Sequence, residues 1–185
     1  MKTVLVCNQK GGVGKTLIAD EIAFALDRSG VDYSFYDLDG QGGCIHEQHG
    51  SDDAAFCVVD TPGALQSDML NWMKSADVII IPTRMTGRDI PPLQTMLGLV
   101  RNEDVKAKTI VVLNGWNRFS ATRDFEEWFS EEYPSLSTVT VPQSEIFTQA
   151  GVAGKSVVEF KPHSMASDQI KLLVGLVKYE LGIRQ

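Results

Sequence analysis

The stretch Lys10-Gly11-Gly12-Val13-Gly14-Lys15-Thr16 stands directly after a short apolar run, residues 3–7, and directly before a helix-period segment, residues 15–29. Glycines let the backbone curl until successive N–H groups face one point, and a helix beginning there adds its positive end. This is the construction of an anion cradle for phosphates. In it Lys15 reaches β- and γ-phosphates and the Thr16 hydroxyl holds Mg²⁺. The stretch departs from G-x-x-x-x-G-K-[ST] at its first glycine, which here is Gln9, and it adds a second lysine, Lys10, at the loop entrance.

Outward from the loop, short apolar runs alternate with segments of helical period. Residues 3–7, 33–37, 56–60, 78–81, 109–113 and 138–141 are mostly β-branched and lack strict alternation, as strands covered on both faces do. Residues 15–29, 66–75, 91–101, 121–132 and 167–181 carry apolar stripes, the first stopping at Gly30 and the last at Gly182. Strand–helix alternation with short connections predicts one domain over residues 1–185. It is an α/β domain with a doubly wound, mostly parallel sheet of about six or seven strands and helices on both faces. Residues 40–54 form the longest stretch without a clear element, and its four glycines suit either a segment beside a ligand or a plain surface loop.

Two strand ends carry carboxylates. The second strand ends in Asp37-Leu38-Asp39-Gly40-Gln41, and the third in Asp60-Thr61-Pro62-Gly63. In open α/β sheets the ligand sits beyond the carboxyl ends of central strands, so Asp37, Asp39 and Asp60 belong beside the phosphate loop. An apolar strand closed by Asp60 reads as the metal-holding carboxylate of a nucleotide site, directly or through water.

Lys10 to Thr16 resembles the deviant phosphate loop of the ParA/MinD family of ATPases, whose signature lysine corresponds to Lys10. The resemblance implies a P-loop NTPase fold and ATP with Mg²⁺ as ligands. It also implies an ATP-bound homodimer in which Lys10 reaches the partner subunit's phosphates, much as an arginine finger does. It gives catalytic roles to Lys10, Lys15 and Asp39, with Asp39 orienting the attacking water. Nucleotide contacts fall to Lys10, Gly11, Gly12, Val13, Gly14, Lys15, Thr16 and Leu17, with Asp37 supporting the loop. Mg²⁺ falls to Thr16, Asp39 and Asp60, partly through water. Asn114, in Leu113-Asn114-Gly115, corresponds to a residue that reads the adenine edge, although an Asn-Gly turn explains it nearly as well. Pro142 begins a segment whose backbone lines the base, and Gly154-Lys155-Ser156-Val157 resembles a run before the family's last helix. The implied function is a slow, partner-stimulated ATP hydrolase that positions DNA or another intracellular cargo with a ParB-like or other adaptor protein. Assembly beyond the dimer fits the same scheme.

Charge sharpens the choice of partner. The chain has 185 residues and a net charge of −7, which argues against constitutive, tight nucleic-acid binding. The deficit is local: residues 1–70 hold 4 basic and 11 acidic residues, whereas 84–123 hold 7 and 3, and 124–145 hold 0 and 6. Weak, salt-sensitive DNA contact by a paired protein remains compatible with this pattern. The N-terminal residues lack a signal-like apolar run, and no stretch reaches membrane-spanning length, which predicts a cytoplasmic, nucleoid-associated protein. The last helix reads as sheet-packing rather than membrane-seeking. Cys7, Cys44 and Cys57 read as reduced thiols. The spacing C-x-H-x-x-H over Cys44, His46 and His49 lacks a fourth zinc ligand and fits a surface loop better. A metabolic or metal-insertion enzyme on this fold would want a substrate pocket or a CxxC pair, and the chain has no CxxC. Trp72 and Trp128 read as core or interface residues, and Trp116 as partly exposed.

Overall fold

The computed structural model describes residues 1–40, 42–51, 53–63 and 68–183. Its sheet has six strands, all parallel, in the order β2-β3-β1-β4-β5-β6. These are Lys2–Val6 (β1), Tyr33–Asp37 (β2), Phe56–Asp60 (β3), Val78–Arg84 (β4), Lys108–Trp116 (β5) and Ser137–Pro142 (β6). Each predicted run became a strand, and β4 and β5 extend beyond their apolar centres. The count settles at the lower end of the expectation.

Alternation along the buried strands sends neighbouring side chains to opposite faces. Val4 and Val6 pack with Ile18, Ile22 and Leu26 of α1 (Lys15–Arg28) and with Ile170, Leu173 and Val177 of α7 (Met165–Leu181). Leu5 and Cys7 pack on the other side, with Met69 and Met73 of α2 (Met69–Ser75), Leu93 and Met96 of α3 (Ile90–Asn102), and Phe125 and Phe129 of α4 (Ser120–Glu132). Two cores, one on each face, account for the continuous apolar runs. The predicted start of α2 at residue 66 lies outside the described residues.

Two short helices were not anticipated, α5 (Glu145–Val152) and α6 (Val157–Phe160). Each shows one fully buried apolar residue, Ala150 and Val157, too little for a periodic signal. Ser144 and Ser156 cap them by accepting from the N–H groups of Ile146 and Val158. The Ser156-Val157 pair also docks on α1: Ser156 Oγ donates to Glu21 Oε2 at 2.6 Å, and Val157 N donates to Oε1 at 2.8 Å.

Among its described residues, the β2–β3 connection contains no helix or named strand. His49 instead bridges Phe35 in antiparallel fashion and closes the outer edge of β2. The loop is fastened to α1, because Asp20 accepts from the N–H groups of Ile45 and His46 at 3.0–3.1 Å. His46 Nε2 lies 2.6 Å from Asp27 Oδ2, and Tyr33 Oη donates to Asp27 Oδ1 at 2.8 Å. Burial pushes the Asp27 carboxyl up, but the bonds from His46 and Tyr33 outweigh it and hold the group below its usual range.

The order places β1 at the middle, with the chain first winding out to β2 and β3 and then crossing to β4. The loop after β1 therefore opens at the reversal point of the sheet, where doubly wound folds bind ligands.

Candidate functional site

A cavity of about 640 Å³ sits over the carboxyl ends of the central strands, lined by Gly11, Gly12, Gly14, Lys15, Thr16, Asp39, Pro62 and Gly63. Five of these belong to the loop read first from sequence. Gly12 and Gly14 hold φ of +73° and +101°, which turns the backbone around the cavity and into α1. The N-cap of α1 is Gly14, which makes no side-chain cap bond, and no acidic residue occupies the first turn, an arrangement that suits an anion at the helix start.

Lys15 is nearly buried at the cavity floor, its ammonium donating to the Lys10 carbonyl at 3.3 Å. Burial lowers its pKa, opposed by the charges of Asp60 and Asp39. A phosphate arriving here would supply the anion that a buried ammonium requires. Thr16 Oγ1 donates to Asp60 Oδ2 at 2.7 Å. Asp60 is fully buried, and its Oδ1 has no hydrogen-bond partner among the described residues. Burial raises its carboxyl to about 6, although the Thr16 bond acts against the rise. An orphaned buried carboxylate oxygen beside a threonine hydroxyl fits a hard divalent cation, so Thr16 and Asp60 would hold Mg²⁺.

Strand register brings the carboxylates together. Asp37 and Asp60 are Cα partners at the ends of β2 and β3, and Asp60 is also opposite Val6 at the end of β1. Asp37 Oδ1 accepts from the Asp39 N–H at 2.9 Å, which orients the backbone that presents Asp39 to the cavity.

Other predicted residues take different positions. Val13 is fully buried, and Leu17 and Pro142 do not line the cavity. Pro142 instead borders a cleft of about 210 Å³ with Trp116, Glu126, Thr140, Met165 and Gln169. Asn114 Nδ2 donates to the Val13 carbonyl at 2.8 Å, so this residue braces the phosphate loop from β5. Lys10 turns away from the cavity toward the start of α3, where its ammonium donates to the Arg88 carbonyl at 3.1 Å and pairs with Asp89 at 3.4 Å. Asp89 is further held by the Thr86 hydroxyl.

Four contributors were not assigned to the site from sequence. Asn8 is fully buried and ties the loop to β4 through Nδ2 to the Pro82 carbonyl at 2.8 Å, while its Oδ1 accepts from Lys10 N at 3.0 Å. Gly63 passes so close that a Cβ would stand 3.2 Å from Gly11 Cα and 3.5 Å from Lys15 Nζ. Pro62 beside it lines the cavity. Cys44 faces Asp60, its Sγ 3.8 Å from Oδ2, and not the histidines two and five residues on. The motif around Lys15 and Thr16 was the available signal; Pro62, Gly63 and Cys44 meet it only through tertiary contacts, and Asn8 through both a local and a tertiary bond.

Residues 4–157 match the family described as the CobQ/CobB/MinD/ParA nucleotide binding domain. The chain belongs to that family. Within the ParA/MinD group, it is 26% identical to the maintenance of carboxysome distribution protein A of Halothiobacillus neapolitanus, over 95% of each chain. Among solved structures, a point variant of McdA from Cyanothece in complex with ATP superposes with a TM-score of 0.80 at 16% identity, covering 100% of this chain and 98% of that one. MinD of Pyrococcus horikoshii with Mg-ADP gives 0.73 at 16% identity, covering 98% of each. The ParA/MinD fold, a parallel six-stranded sheet between helices around a phosphate loop, is thus shared along the length of the chain.

Proposed function

We propose that this chain is a ParA-type positioning ATPase. It binds Mg·ATP, closes into a dimer around two nucleotides, hydrolyses ATP slowly, and is driven through this cycle by an adaptor protein. The observation that carries the reading is the opposite placement of the two lysines. Lys15 serves the chain's own cavity, whereas Lys10 leaves the same loop in the other direction and rests on the surface near α3. A lysine so placed is available to a nucleotide held by a second copy, where a cation offsets charge developing during phosphoryl transfer.

Within one subunit the chemistry divides among the residues already described. The loop N–H groups and Lys15 bind the phosphates. Thr16 and Asp60 hold the Mg²⁺, which supplies charge neutralisation at the phosphoryl oxygens. Asp39 holds and orients the attacking water and accepts its proton. The cargo is a large intracellular body. The carboxysome named for the relative is one such body, and DNA is the matrix on which a paired protein would move, in the cytoplasm at the nucleoid.

Lys10→Ala is the direct test. ATP binding should persist within about threefold, while adaptor-stimulated hydrolysis falls by about 10³, the scale of a lost trans cation. Binding is read by fluorescent-nucleotide titration and turnover by phosphate release. Normal stimulated turnover in the variant would rule out the trans-lysine mechanism.

A further inference from the structure

The loop between β2 and β3 brings a soft ligand to a site otherwise built from oxygen. Cys44 stands with Asp37 and Asp60 in a cluster whose candidate ligand atoms all lie within 4.8 Å of one another. The Cys44 Sγ is already 3.8 Å from Asp60 Oδ2. With Zn–S near 2.3 Å and Zn–O of 2.0–2.2 Å, ligands at adjacent corners of a zinc tetrahedron stand about 3.6 Å apart. The second observation is the Asp60 carboxylate, which is fully buried and keeps Oδ1 without a hydrogen-bond partner among the described residues. The loop is pinned where it must be for this contact, because the Asp20 carboxylate holds the Ile45 and His46 N–H groups immediately after Cys44.

We infer that Asp37, Cys44 and Asp60 form a binding site for a thiophilic divalent cation of the zinc class, sharing Asp60 with the residues that hold Mg²⁺. Mg²⁺ prefers oxygen and gains little from sulfur, whereas Zn²⁺ and Cd²⁺ gain a thiolate bond. Binding exchanges the Cys44 thiol proton, released to solvent, for a metal–sulfur bond. A water fills the fourth position of the tetrahedron. Because Asp60 is common to both sets, the thiophilic ion and Mg·ATP compete. Availability of such an ion then sets how readily the nucleotide site is loaded.

The test uses the full chain without nucleotide, titrated with CdCl₂ and ZnCl₂, so that its failure is separable from a failure of the ATPase reading. Calorimetry gives the stoichiometry, and ultraviolet cadmium–thiolate charge transfer reports sulfur ligation. The expected result is one ion per chain with the charge-transfer band present. Cys44→Ser should abolish the band and weaken binding by at least about tenfold, and Asp37→Asn should weaken it by about tenfold while keeping the band. A Cys7→Ser/Cys57→Ser variant and a His46→Ala/His49→Ala variant should bind as the parent does. Adding Mg·ATP should weaken Cd²⁺ binding in the parent. Unchanged binding in Cys44→Ser, unchanged binding in Asp37→Asn, or loss in either control variant overturns the assignment. Absence of binding in the parent does the same.

Discussion

Gly14 shows how narrowly the phosphate loop is specified at single positions. Its φ is +101°, and a Cβ there would stand 2.3 Å from Asn114 Nδ2, the atom that braces the loop by donating to Val13. Gly14→Ala combines left-handed backbone strain with a collision, so we expect a loss of about 2 kcal/mol or more of unfolding free energy. Nucleotide affinity should fall in parallel. Denaturant unfolding and nucleotide titration read the two effects. Adding Asn114→Ala should recover part of the stability, since it removes the collision and leaves the strain. Glycine at 14 was legible from the motif, and Lys15 and Thr16 with it. The brace from Asn114 was not, because its contact spans 101 residues and the strand end that carries it reads equally as a turn. The same holds for Cys44. Local spacing pairs it with His46 and His49, while the fold turns the histidines toward Tyr33 and Asp27 and the thiol toward Asp60.

At the scale of elements, the strands and helices α1, α2, α3, α4 and α7 follow from periodicity, with boundaries displaced mainly where caps or strand ends extend beyond apolar runs. Helices α5 and α6 do not, because each buries a single apolar residue and α6 takes its anchor from α1. Glu21 is buried and accepts from both Ser156 Oγ and Val157 N, which holds the start of α6 against the helix that follows the phosphate loop. Burial raises the Glu21 carboxyl above its ordinary value of 4.5, against the lowering effect of those two bonds. The folded state therefore binds this proton more tightly than the unfolded chain does. Its contribution is most favourable below the ordinary glutamate value and is lost as pH rises through the raised one. Glu21→Gln should flatten that part of the stability–pH curve, and near neutral pH it should be at least as stable as the parent. Glu21→Ala leaves a buried hydroxyl and a buried N–H without their acceptor and should cost about 2 kcal/mol at acidic pH, less as pH rises through the raised value. Chemical denaturation between acidic and neutral pH distinguishes the two variants.

For the whole molecule, the charge pattern and the half-buried Lys10 bear on assembly. In the proposed cycle, ATP converts monomers to dimers, and light scattering should show the doubled mass with ATP but not with ADP. If the dimer touches DNA through its modest basic regions, apparent affinity should fall by at least about tenfold between roughly 50 and 200 mM salt. A protein that keeps one mass in all nucleotide states would overturn the dimer. None of the helices among the described residues is long and apolar enough to cross a membrane, and α7 turns Ile170, Leu173, Val177 and Leu181 into the core. Sequence by itself determined the alternation of strands and helices, and with it the parallel α/β sheet. It also placed a phosphate loop between β1 and α1, because apolar periodicity and glycine placement are local properties of the chain. Only the tertiary structure decided which strand ends meet, since register sets Asp37 beside Asp60 and the crossover to β4 sets Asp89 beside Lys10. It also decided that Cys44 faces a buried carboxylate, because the path of the β2–β3 loop is set by its anchors on α1 and β2.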